Sequence, residues 1–231
     1  MICDVKLTER DLRKGMVLPK HPSRELAYFC GVLAGDGSIN QRKSHGDYEI
    51  KIAGNPKDEK EFYKKVICPL TKRLFNLSIR PQHYDSNTIY GVRIWSKSLV
   101  NFFKSIGHPV GKKKDKLKVP EIFYGKYEKD FIRGLFDTDF CLRFRRGNYP
   151  VISGSSNSKE FMKEISLMLK SKGFKVTEYF DLKQYDVRFK KGYSIIHRIE
   201  LPGHSNYKKW KIKIGTFHPK NVKKINSFKE N

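Results

Sequence analysis

Apolar positions along this chain follow two spacings, one helical and one of alternate residues, and the two occur in an order that is repeated. Between Arg24 and Gly35 almost every position is apolar, and Ser23 stands before the run as a side-chain cap, so a short buried helix is expected there. Strands are expected at Ser38 to Arg42 and Tyr48 to Ala53, where Ile50 and Ile52 flank Lys51. Phe62, Val66, Leu70 and Leu74 return at helical spacing and predict an amphipathic helix over Lys57 to Phe75. Two more strands follow, Ser78 to Tyr84 and Ile89 to Ser96, the second alternating Val92 and Ile94 about Arg93, then a helix over Leu99 to Ile106. The succession then returns: a helix over Tyr127 to Thr138, strands Cys141 to Arg145 and Tyr149 to Ser153, and a helix Ser158 to Lys172 with Phe161, Ile165, Met168 and Leu169 on its apolar face. Strands Lys175 to Leu182 and Ile195 to Leu201 and a helix Asn206 to Ile214 close it. Val187 and Phe189, alternating with Arg188 and Lys190, read as a further piece of strand.

Residue identities repeat with the pattern. Gly31-Val-Leu-Ala-Gly-Asp36 is echoed by Gly134-Leu-Phe-Asp-Thr-Asp139, Lys60-Glu61-Phe62 by Lys159-Glu160-Phe161, and Gly107-His108-Pro109 by Gly215 with His218-Pro219. Three echoes in one order, each about 100 residues on, mean two copies of one unit. The expected class is α+β, with two pseudo-symmetric αββαββα halves at 23–109 and 126–219. An N-terminal extension (1–22), a linker (110–125) and a C-terminal tail (220–231) make up the rest.

Charge adds a partner. The 231 residues hold 48 Lys and Arg against 24 Asp and Glu, a net +24, and so large an excess calls for a polyanion, of which nucleic acid is the usual one. In the strands, alternation separates apolar from basic positions, so helices covering the apolar face would leave Arg42, Lys51, Arg93, Arg143, Arg145, Arg188, Lys190 and Arg198 on an open basic face. Cys3, Cys30, Cys68 and Cys141 lie far apart and imply neither zinc nor a disulfide framework. The charged stretch Met1 to Lys20 does not read as a signal peptide, and no apolar run reaches membrane-spanning length, so a soluble intracellular protein in a DNA-containing compartment is expected.

The sharpest chemistry lies at the ends of the two repeated helices. Gly31 and Gly35, like Gly134 and Thr138, are small residues four apart, which share a helix face and let two backbones approach. The motif helices are therefore expected to pack on each other at the interface between halves. That packing brings together Asp36 and Asp139, each at a helix C-terminus where a carboxylate is disfavoured. A hard divalent cation relieves both penalties, and Mg²⁺ suits carboxylates, carbonyls and phosphate oxygens.

Phe29-Cys-Gly-Val-Leu-Ala-Gly-Asp-Gly37 and Ile132-Arg-Gly-Leu-Phe-Asp-Thr-Asp-Phe140 resemble the two motifs of the LAGLIDADG homing endonucleases, and the likeness extends over about Ser23 to Pro219. The resemblance implies a single-chain monomer without an obligate protein partner, laying saddle-shaped sheets in the major groove of a long double-stranded DNA site. It implies cleavage of both strands, with Asp36 and Asp139 binding metal and the Gly35 and Thr138 carbonyls assisting. Mg²⁺ is the expected ion, with Mn²⁺ tolerated and Ca²⁺ supporting binding without cleavage. Asn55 and Ser155 stand where the family places polar residues near the reacting phosphates, and Arg93, Lys97 and Arg198 are candidates for phosphate contacts. Ala34 replaces one motif acid that Asp137 retains, and Phe140 stands where Gly is usual, a bulk expected to displace Asp139 or to pack on DNA. The ends of the sequence fit an intron-encoded or free-standing member better than an intein. RNA-splicing maturases and non-cleaving DNA-binding proteins on the same fold are the alternatives.

Overall fold

The computed structural model describes residues 2, 4–42, 46–85, 87–113, 116–146, 148–187 and 190–228. After a short α1 (Glu9–Arg13) comes α2 (Arg24–Ala34), where the Ser23 hydroxyl accepts the Leu26 N–H at 3.1 Å, as the sequence led one to expect. Every residue of α2 from Leu26 to Ala34 is buried. A helix apolar all round must be covered all round, and α2 lies between its own half and the partner half. β1 (Gly37–Arg42) and β2 (Asp47–Gly54) follow.

The single helix expected over Lys57 to Phe75 is broken into α3 (Lys60–Phe62), a π turn (Tyr63–Ile67) and α4 (Cys68–Phe75). Pro69 supplies the reason. It has no N–H to give and its ring crowds the carbonyl one turn back. The widened turn, in which the Cys68 N–H reaches the Tyr63 carbonyl, carries the helix past it. β3 (Gln82–Tyr84) is shorter than expected, because Pro81 cannot donate to a ladder. β4 (Ile89–Trp95) and α5 (Lys97–Ser105) complete the first half.

A 3-10 turn at Glu121–Phe123 precedes α6 (Glu128–Thr138), β5 (Phe140–Arg145), β6 (Tyr149–Ser156) and α7 (Lys159–Ser171). β7 (Thr177–Tyr185), β8 (Tyr193–Pro202) and α8 (His204–Lys213) follow. The expected strand at Val187 to Lys190 is not one: Val187 and Lys190 belong to the turn region joining β7 to β8, and Val187 is 98% exposed. Arg188 and Phe189 lie outside the described residues. A last helix, α9 (Pro219–Ser227), lies in the stretch expected as a tail; it has no fully buried residue, but Ile225 packs half-buried against the core. Phe228, just after it, stacks on Phe144 with ring centroids 4.1 Å apart.

Both sheets are antiparallel and share one strand order, β1-β2-β4-β3 and β5-β6-β8-β7, which makes the repeat a structural fact. Opposed residues on neighbouring strands share a face. Ile39, Ile50 and Ile94 form one inward row, and Leu142, Ile152 and Leu201 its counterpart. The outward rows read Ser38, Lys51, Arg93 and Cys141, Ser153, Glu200.

The halves meet where α2 packs against α6. A Cβ on Gly31 would lie 2.0 Å from the Phe131 carbonyl oxygen, and one on Gly134 would lie 2.1 Å from that of Tyr28. Backbone touches backbone here, so only glycine fits. Asp137, in the motif position that Ala34 leaves apolar, accepts bonds from the Tyr28 hydroxyl at 2.7 Å, the Phe217 N–H at 2.9 Å and the Thr216 hydroxyl. It ties the helix of one half to that of the other. Among the described residues no helix is long and apolar enough to cross a membrane.

Candidate metal centre and nucleic-acid interface

The close helix crossing decides where the motif acids go. α2 leaves its helical path at Gly35, whose N–H still reaches the Gly31 carbonyl at 3.1 Å, and Asp36 follows. α6 runs one residue further, and Asp139 caps it with its N–H on the Leu135 carbonyl at 2.9 Å. A Cβ on Gly35 would sit 2.0 Å from Thr138 Oγ1 and 3.3 Å from Asp139 Cγ. The Asp139 carboxylate therefore lies against the residue that precedes Asp36. Burial pushes the Asp36 carboxyl up to about 7, with repulsion from Asp139 and then Glu59 adding to it and Lys113 opposing. Asp139 keeps solvent access on one side, but the protein wall around it raises its carboxyl to about 6, again opposed by Lys113.

Lys113 is the group that sequence reasoning missed. Its Nζ donates to the Ala34 carbonyl at 2.9 Å and to the Gly35 carbonyl. Burial pulls its own pKa down, while Asp139 and Asp36 hold it up. The stretch that starts at Gly111, expected as a linker, is anchored on the protein: Gly111 N–H bonds the Ile39 carbonyl at 2.7 Å, and Leu117 and Val119 are buried. Those two apolar residues, spaced by one, join the linker to the core.

On the first-half side, Asp36, Ser38, Lys51, Asn55 and Lys57 line an open cleft of about 690 Å³. Asn55 turns the chain by accepting the Lys57 N–H on Oδ1 at 2.9 Å, while its own N–H goes to Glu59 Oε2 at 3.1 Å. Gly54 makes room for that carboxylate, since a Cβ there would lie 1.6 Å from Glu59 Oε2. The Tyr63 hydroxyl is buried without a hydrogen-bond partner among the described residues, and Asp36 and Glu59 both raise its pKa beyond the effect of burial. In the second half the repeat places Ser158 and Met162 where Glu59 and Tyr63 stand, so the two flanks are chemically unequal. Ser155 is exposed on β6 opposite Arg198. Phe140, expected to displace Asp139 or to face DNA, does not face DNA: its ring is buried and lies over Gly154 across the β5–β6 ladder, where a Cβ would fall 2.0 Å from it.

Over the outer sheet faces, Lys51, Arg93, Arg143, Arg145 and Arg198 occupy one side, and Arg42 ends β1 on that side. The alternation did not reveal that acids share it. Arg93 pairs with Glu49 at 3.3 Å and lies 4.1 Å over the Tyr84 ring, and Lys51 pairs with Asp85 at 3.5 Å. Arg143 and Arg145 both pair with Glu200. Lys97 lies past the end of β4 remote from Asp36, its Nζ 5.6 Å from the Tyr48 ring, so it is not brought to the motif acids. Lys190 sits beyond β7 in the turn region, and Arg188 is outside the described residues.

Residues 126–214 match the family model of the LAGLIDADG-like domain. Among curated proteins, a probable translation initiation factor IF-2 of Methanocaldococcus jannaschii is 29% identical over 195 residues, covering 81% of this chain. A DNA polymerase of Thermococcus litoralis is 28% identical over 144 residues, covering 61% of this chain. The chain spans 15% of the first protein's length and 8% of the second's. Among solved structures, I-DmoI in complex with DNA and Ca superposes with a TM-score of 0.61 at 19% identity, over 88% of this chain and 97% of that one. I-WcaI bound to its DNA recognition sequence gives 0.57 at 11% identity, over 94% and 91%. At such identities the fold is what the chains share.

Proposed function

We propose that this chain, a LAGLIDADG-type protein with the two-half fold of the single-chain homing endonucleases, is a monomeric, metal-dependent endonuclease that cuts both strands of a long double-stranded DNA site. One observation carries the reading: Asp36, Asp139 and Lys113 converge where the two glycine-paired helices end. The donor set fits Mg²⁺, being two carboxylates and the Gly35 carbonyl, all hard oxygens, with room for water and phosphate. A lysine ammonium seated on that carbonyl supports the reading that a cation is favoured there. A divalent ion there supplies charge stabilisation to the reacting phosphate and acidity to its bound water. Asp36 and Asp139 would hold the ion, and Lys113 would set a second positive charge beside the phosphate. Asn55 and Ser155, at the ends of β2 and β6, orient water on either flank. Mn²⁺ serves in place of Mg²⁺, and Ca²⁺ supports binding alone.

The deciding experiment is site selection from a randomised DNA library, followed by cleavage of a supercoiled plasmid carrying the selected site in Mg²⁺. Linear product is expected; tight binding with neither nicked nor linear product would mean a non-cleaving DNA-binding protein. Two further outcomes are expected. Lys113→Met removes a cation that competes for the Gly35 carbonyl, so Mg²⁺ should bind more tightly while single-turnover cleavage falls by ~10²-fold. Slower cutting with weaker metal binding would assign Lys113 a structural part only. A site spanning two helical turns calls for roughly 8 to 10 phosphate contacts, so log K should fall against log salt with a slope of about that size. A slope near two would mean that the charge serves another partner.

A further inference from the structure

The outer face of the second sheet carries a unit that phosphate binding does not explain. Glu200 on β8 is a carboxylate with its side chain only 4% exposed, on a face otherwise suited to a polyanion. Arg143 Nη2 donates to Glu200 Oε1 at 2.6 Å, and Arg145 Nη2 donates to Oε1 and Oε2 at 2.9 Å each. The two arginine side chains remain 42% and 49% exposed. A carboxylate here repels a DNA backbone and lowers the net charge, so a surface meant only to hold phosphates gains nothing from it. What it does supply is orientation. It ties down two long side chains that otherwise lose rotamer freedom on binding. The bonds run through Nη2, so the Nη1 groups take no part in them and remain as donors on each planar head, while Arg143 Nε is buried without a hydrogen-bond partner among the described residues.

A fixed guanidinium fork on a strand face matches guanine O6 and N7 in the major groove, the commonest base-specific contact. The Cα atoms of Arg143 and Arg145 are two residues apart, roughly 6.6 Å along a strand, but both heads end on one carboxylate and so meet one short stretch of base edge. Among the described residues the first half has no such unit. Arg93 stands at the repeat position of Glu200, stacked on Tyr84 and paired with Glu49, and Asn40 stands at that of Arg143.

Resting on the DNA-binding reading above, we infer that Arg143 and Arg145, positioned by Glu200, form a guanine-specific subsite of one or two adjacent base pairs in the second half-site. The test is selection of binders from a randomised double-stranded DNA library by the full chain in Ca²⁺. Wild type is expected to show one or two adjacent guanine columns that Arg143→Gln and Arg145→Gln erase. Glu200→Gln should weaken those columns by about 10-fold or more and leave the rest of the site unchanged, with Glu200→Asp partly restoring them. If wild type selects no sequence, the DNA-binding reading itself fails. If it selects a site and Glu200→Gln leaves every column intact, the carboxylate merely holds the sheet and the subsite is refuted. Uniform loss across all sequences in the arginine variants refutes it too, by making them phosphate contacts. Should Glu200→Gln not fold, Arg143→Lys and Arg145→Lys, which keep the charge and lose the fork, carry the same test.

Discussion

Asp36→Asn and Asp139→Asn are each expected to lower double-strand cleavage by well over ~10²-fold while DNA affinity stays near that of wild type. Asn keeps the volume and removes the charge that holds a cation, and the base and phosphate contacts lie elsewhere, on the sheets. Stability should move the other way. The Asp36 carboxyl titrates at about 7 in the folded protein against an ordinary 3.8. The folded state therefore binds this proton more tightly than the unfolded chain does, so the stability the protonated form contributes is present at low pH and is lost as pH rises from about 4 to about 7. At one to two units above 7 the ionised acid costs on the order of 2–4 kcal/mol, which Asp36→Asn relieves. The variant should melt higher than wild type at pH 8 and no higher at pH 4. Mg²⁺ binding at pH 7 should release protons, detectable as a buffer-dependent heat. Nicked and linear plasmid, timed separately, read the cleavage arm; if both variants cut like wild type, these acids do not hold the catalytic ion.

Gly134→Ala should destabilise the protein by about 3 kcal/mol or more, although alanine is the better helix former by about 1 kcal/mol. Its Cβ would fall 2.1 Å from the Tyr28 carbonyl oxygen, and Gly31→Ala meets the same obstacle at Phe131. The obstructing atoms are backbone, so α2 and α6 must move apart. That parting also separates Gly35 from Thr138, and with them the acids, so cleavage should be lost at temperatures where the variant is still folded. Denaturant unfolding and cleavage assays check the two parts; unchanged stability would mean that the helices pack with room to spare.

Which of these features the sequence disclosed follows from the range of the forces involved. The glycine pairing was legible because spacing along one helix decides which residues share a face, and the repeat said that a second such helix existed. The sheet faces were legible for the same reason, since Lys51 or Arg143 is placed by alternation alone. Partners across strands were not. That Glu200 clamps Arg143 and Arg145, or that Glu49 takes Arg93, depends on a register fixed by long-range pairing. Lys113 stayed hidden because a lysine run has no periodicity, and what pins it is Gly111 on β1 and Val119, whose N–H reaches Glu164 at 3.0 Å. The burial of the Phe140 ring was not legible either, because its environment is set by Gly154, fourteen positions away along the chain and directly opposite across the ladder.

The strap between the halves also bears on how proteins of this architecture can be recombined. Lys113 is anchored on α2, while Val119 is anchored on Glu164 of α7. A chimera that joins this first half to a foreign second half has its natural seam between those two residues. A junction placed upstream, at Gly111, hands the lysine to the wrong parent and leaves the first motif's carbonyls without their ammonium. Coupling two halves of different target preference thus turns on which parent supplies a few residues of connecting chain, as well as on the fit of the paired helices.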